Sequence, residues 1–179
     1  MDFLREYKLL KKQHFPIAET LRFGRALGEN NDINVHFEIY CLDMQSPPQE
    51  RGLMIYESFS DHGRKGGDYL LTRLSDDDNI ASLAAYLLAS WRVQRACQFS
   101  AEENTSILGA ISRLSESNGP KVRRRSLIAI GWIGGEKEIP LLNTHLLTDS
   151  DALCRSWSAS SFLQMAEGSS LSAMHCSRR

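Results

Sequence analysis

The chain has 179 residues, 42% hydrophobic and 24% charged, with a formal net charge of −1. That balance excludes disordered and fibrous classes, and leaves no global charge to draw the chain onto nucleic acid or an anionic membrane. No apolar run approaches the roughly 20 residues that cross a bilayer. The N-terminus, MDFLREYKLLKKQ, lacks the apolar core of a secretion signal, so a cytosolic protein is expected.

Helical periodicity dominates from the start. Phe3, Leu4, Tyr7 and Leu10 recur at three- and four-residue spacing, as do Ile17, Leu21, Ala26 and Leu27. Gly28–Asp32 reads as a stop and turn. In Ile33–Met44 the stretch Asn34–Ile39 alternates like a strand, but its length and ending favour a helix. Ser46-Pro47-Pro48 breaks it, because proline cannot continue the backbone ladder. Leu53–Phe59 is expected as a further short helix. Asp61-His-Gly-Arg-Lys-Gly-Gly-Asp68 places glycines beside two cations, but not in the order of a phosphate loop. A linker ending with Asp68 as a helix N-cap is the better reading.

From Asp68 onward a unit recurs: a short helix, a polar turn, then a second helix. The pairs are 68–74 with Ile80–Ala89, Thr105–Leu114 with Val122–Ile133, and Ile139–Leu147 with Cys154–Met165. Aligned second helices match Ile80 with Val122 and Cys154, Ala84 with Ser126 and Ser158, and Leu88 with Ile130 and Phe162. The last two lie 32 residues apart and the first two 42, which puts an insertion near Arg92–Glu102. A hairpin of two short helices cannot bury its apolar face alone, so such units must stack. Asp76-Asp77-Asp78 lacks the later oxygens of a calcium loop and reads as N-capping for the Ile80 helix.

These units resemble the HEAT repeat in its short, bilin-lyase-like form, over about residues 68–166. Val122-Arg-Arg-Arg-Ser-Leu-Ile-Ala-Ile-Gly131 carries the resemblance best, with Ile139-Pro-Leu-Leu142 and Asp149 after it. Ala81, Ser158, Ser161 and Leu163 depart from the pattern. The resemblance implies an all-α solenoid of stacked antiparallel hairpins, eight to ten helices in all, with second helices lining a concave face. It also implies that turn aspartates and helix arginines link adjacent repeats, so Asp149 should pair with Arg123 or Arg155. One α-helical domain, 1–167, and a flexible tail, 168–179, are expected.

Stepping about 100° per residue from Val122 puts Val122, Ser126, Ala129, Ile130 and Ile133 toward the core. Arg124, Arg125, Ile128 and Trp132 fall on the opposite arc, with Leu83, Tyr86 and Ser90 before them and Trp157, Ser160 and Gln164 after. Aromatics with arginine are the composition of protein-binding hot spots. Leu83, Tyr86, Arg124, Arg125, Ile128, Trp132, Trp157 and Gln164 are therefore the candidate partner contacts. Packing against the N-terminal helices is the competing role for each tryptophan.

Catalytic and metal patterns are thin. His14, His36, His62, His145 and His175 lie on separate segments, and Cys41, Cys97, Cys154 and Cys176 form no CxxC. No catalytic residue, cofactor or metal is assigned, and the cysteines are expected reduced and mostly packed. Nucleic acid would need basic residues at matching positions of neighbouring repeats, where Ser82, Leu83, Ser156 and Trp157 stand instead. The sequence thus favours a non-catalytic protein-binding module, either an adaptor or an immunity protein that blocks a toxin. The alternatives are a nucleic-acid-binding HEAT-like protein related to DNA glycosylases, or a bilin-lyase-like protein.

Overall fold

A computed structural model describes residues 2–47, 50–52, 55, 58–94 and 97–176, without the side chains of 94 and 167–176. Most of the expected Leu53–Phe59 helix lies outside the described residues. Nine α-helices and no strand occur among those described. Where the sequence suggests one domain, the contacts group into two compact units, Met1–Tyr69 and Leu70–Arg179.

In the first unit, α1 (Phe3–Lys12) is capped by the Asp2 carboxylate, which accepts from the Arg5 N–H. Its apolar stripe buries Tyr7 and Leu10. After α1 the chain turns through His14 and Phe15, two successive non-glycine residues with φ of 55° and 53°. Each holds a strained left-handed conformation. Helix α2 (Ile17–Glu29) buries Thr20, Phe23, Gly24 and Leu27.

The ambiguous stretch is α3 (Ile33–Gln45), capped by Asp32. It buries His36, Phe37, Ile39, Tyr40, Cys41 and Asp43 around more than one face. That all-round burial hides the helical period in the sequence. Phe37 lies 5.5 Å from Tyr69 and 6.1 Å from Phe59, ring centre to ring centre.

Two polar groups are sealed within this unit. His36 is fully buried, with Nδ1 2.8 Å from His62 Nε2 and Nε2 3.2 Å from both the Ile55 carbonyl and Ser58 Oγ. Burial lowers its pKa from 6.5 to about 4. Asp43 accepts from the Tyr7 hydroxyl at 3.3 Å and the Gly52 N–H at 3.0 Å, and burial raises its carboxyl above the usual range. The sequence separates these partners by 9 to 36 positions, so no spacing rule could pair them.

The stretch read as a linker is instead helical. Helix α4 (Gly63–Thr72) runs through it, and Asp68 pairs with Arg64 one turn earlier rather than capping. Gly66 and Gly67 are buried there, so tertiary packing overrides the poor helix propensity of glycine. The boundary between the units falls within this helix.

In the second unit the expected repeats are present with longer bounds. They are α5 (Asp78–Gln94), α6 (Ala101–Ser115), α7 (Pro120–Ile133), α8 (Ile139–Thr148) and α9 (Ala152–Cys176). The last turns of α9 cover residues expected as tail. Asp77 caps α5 as expected, accepting from the N–H groups of Asn79 and Ile80. Its neighbours act separately: Asp76 pairs with Arg73 and Asp78 with Arg113. A reciprocal Ser100–Glu103 capping box opens α6.

Helix α7 packs on α5 before it and α9 after it, while α6 packs on α5 and α7, and α8 on α9. The second helices thus form one row of stacked hairpins. Small residues set their spacing. A Cβ on Gly131 would come within 2.6 Å of both Ser161 Oγ and Gln164 Oε1. Ser161 Oγ itself donates to the Leu127 carbonyl at 2.7 Å. The serines that depart from the repeat pattern are therefore buried contacts, with Ser158 at 0% and Ser161 at 1% exposure.

Candidate partner-binding face

Three consecutive arginines on one helix turn through about 200°, so each meets a different neighbour. Arg123 reaches forward with a two-pronged grip on Asp149, Nε to Oδ2 at 2.9 Å and Nη2 to Oδ1 at 2.8 Å. Its Nη1 donates back to the Ser117 and Asn118 carbonyls in the preceding turn. Arg124 makes the same fork on Asp151, at 3.0 and 2.8 Å. Arg125 points the other way, donating to Asn79 Oδ1 at 2.9 Å and Ser82 Oγ at 3.1 Å on α5. One basic run thus ties three successive repeats.

Asp149 is the centre of that tie. Besides Arg123, its carboxylate accepts from the Asp151 N–H at 2.9 Å and lies 2.9 Å from His145 Nδ1. The Arg123 hydrogen bonds, more than any other contact, hold it far below the usual carboxylate range. Asp151, bonded to Arg124 and to the Cys154 N–H, is lowered to about 2. Arg155 Nη1 donates to the Asp149 carbonyl at 2.7 Å, so both arginines proposed for Asp149 reach it. Burial, with Asp149 and Asp151 beside it, pushes the Cys154 thiol up to about 11. Cys154 is packed, not activated.

This network corrects two of the expected partner contacts and redefines a third. Leu83 is fully buried, because the α5 helix is enclosed on almost every side. Arg125 is 8% exposed and bonded to α5, since its position on the helix faces the preceding repeat. Arg124 is partly exposed, but the carboxylate that it grips is the chain's own Asp151.

The remaining five contacts stay at least partly accessible. Tyr86 on α5 and Trp132 on α7 are half-buried and lie against one another, ring centres 4.9 Å apart and tilted by 54°. Ile128 is half-buried, Gln164 exposed, and Trp157 38% exposed. Trp91, which the sequence singled out for nothing, is the buried core tryptophan at 2% exposure. Trp91 is thus packed away, while Trp132 and Trp157 keep part of their surface accessible.

Beside Trp132 is a cleft of about 400 Å³ that sequence reasoning missed. Gly131 and Trp132 form part of it from the end of α7, with Gly134, Gly135 and Glu136 from the following turn. Ile139 of α8 and Phe162, Gln164 and Met165 of α9 supply other walls. The paired glycines after Trp132 were the only local signal, and they identify a turn without saying what closes over it. Among the described residues no three His, Cys, Asp or Glu side chains could share a metal ion. No described helix is long and apolar enough to cross a membrane.

A family model described as HEAT repeats matches residues 67–162, more than half of the chain. No curated protein and no solved structure matches it.

Proposed function

The chain belongs to the HEAT-repeat family, whose repeats generally act as protein-interaction scaffolds, and on that premise we propose that its second unit is a non-catalytic protein-binding module. The partner docks on the row of second helices, across Tyr86, Trp132, Ile128, Trp157 and Gln164. The observation that carries this reading is the surface placement of Trp132 and Trp157 on neighbouring repeats, while Trp91 alone is packed away. Large, stiff aromatics at a partly exposed helical ridge are what protein hot spots use. The arginine ties support it too: they hold the repeats in fixed register, so the ridge is presented with little ordering cost on binding.

A cytosolic adaptor, or an immunity-type inhibitor that covers a toxin's working face, fits this arrangement. The guanidinium groups that could have met phosphate are bonded to Asp149, Asp151, Asn79 and Ser82, which weighs against nucleic acid. A photo-crosslinking residue at position 128 or 157 should trap a partner in cells, and one at the exposed Asn143 should not. The same partner is then measured against a folded Trp132→Ala/Trp157→Ala variant, with a loss of at least about tenfold expected for two hot-spot aromatics. Undiminished capture by that variant overturns the reading.

A further inference from the structure

Resting on that reading, we propose that the cleft beside Trp132 takes an arginine or lysine side chain of the partner. The cleft's charge points to a cation in three independent ways. Among the described residues Glu136 is the only formally charged one in its wall, exposed and making no ion pair. The cleft also stands at the C-terminal end of α7, where a fourteen-residue helix presents its negative pole. That last turn carries no basic residue to neutralise the pole. Third, the Trp132 indole offers an aromatic surface, which attracts a cation through its quadrupole.

The apolar walls fit the rest of such a side chain. Ile139, Phe162 and Met165 can pack along three or four methylenes while the head group stays near the rim. The Gln164 amide, also in the wall, supplies an acceptor for a guanidinium or ammonium N–H. A partner carboxylate would meet Glu136 and the helix pole with the wrong sign. A purely aliphatic side chain would fill the walls but leave the rim charge unanswered.

The test uses the whole chain and three short blocked peptides, Gly-Arg-Gly, Gly-citrulline-Gly and Gly-norleucine-Gly, titrated while the three tryptophan indole N–H resonances are followed. The arginine peptide should move Trp132 and leave the buried Trp91 unmoved. It should bind about fivefold more tightly than the citrulline peptide, the size of a partly exposed cation–π contact with a nearby carboxylate. Glu136→Gln, an exposed change, should clearly lower that preference, as should added salt. Equal binding of arginine and citrulline, or no effect of Glu136→Gln, overturns the cation assignment. If no peptide moves Trp132 while Trp132→Ala still weakens the trapped partner, the cleft proposal fails and the docking face stands. Undiminished partner capture by the double tryptophan variant is the separate result that removes the docking face itself.

Discussion

The two units of this chain hold buried polar groups by opposite means. In the first, His36 and His62 meet edge to face and hydrogen-bond as neutral rings, and Asp43 is shielded by a tyrosine hydroxyl and a backbone N–H. In the second, Asp149 and Asp151 are gripped by full guanidinium forks. Burial without a directly paired counter-charge disfavours ionisation, and a guanidinium fork on the carboxylate enforces it. The first unit should therefore be sensitive to mild acid, whereas the second should be sensitive to the loss of a single carboxylate.

The largest effect is expected from Asp149→Ala. It removes the acceptor of Arg123, His145 and the Asp151 N–H, and leaves an almost buried guanidinium uncompensated. Breaking a buried pair from one side costs roughly 3–5 kcal/mol. All three tryptophans lie in the second unit, so urea unfolding followed by their fluorescence measures this directly. A cost under about 1 kcal/mol would mean that the ladder behaves like an ordinary surface pair.

Acid should act mainly on the first unit. His36 titrates near 4 in the fold and near 6.5 when unfolded, so the unfolded state takes up protons first as pH falls. Stability is then fully present above pH 6.5 and is lost progressively down to about pH 4, by about 3 kcal/mol. His62, also lowered by burial, adds in the same direction; the raised Asp43 acts in the opposite one. The depressed carboxylates of the second unit give stability that is present above the unfolded carboxylate pKa. It falls away only as pH drops below that value, toward their folded ones. Amide exchange, corrected for its intrinsic pH dependence, should accelerate in α3 between pH 6.5 and 4.5 and stay level in α7. Equal acceleration in both helices would erase the contrast.

The smallest change sharpens it from the first unit's side. His14→Gly replaces a strained left-handed residue that faces solvent with the one residue that adopts that conformation freely. A gain of about 1 kcal/mol is expected in thermal or urea unfolding followed by far-UV circular dichroism. No gain would show that the turn's own contacts offset the strain.

The repeat boundaries were readable because periodicity is local: apolar spacing, Asp77 before Ile80 and the 32-residue interval all lie within one or two turns of chain. The Arg123–Asp149 tie was also legible, through the likeness to a known repeat rather than through spacing. The proposed docking face was only half legible. A helical wheel puts Leu83, Arg125 and Trp132 on the same arc, yet Leu83 is enclosed, Arg125 faces the previous repeat and Trp132 reaches the surface. The angle around a helix is set by the sequence, but which neighbours cover that angle is set by packing.

Sequence alone determined that this chain is helical, that its second half repeats, and that three consecutive arginines cannot all face one ligand. Those are consequences of a 100° step and of hairpins too small to bury themselves. Tertiary structure alone decided that the Gly-rich 63–68 stretch is helix, that His36 meets His62, and that Asp151 takes the fork of Arg124. It also decided that a cleft opens where α7 ends. Each depends on groups distant in the chain arriving within about 3 Å or a few side-chain diameters, and no local pattern encodes such an arrival.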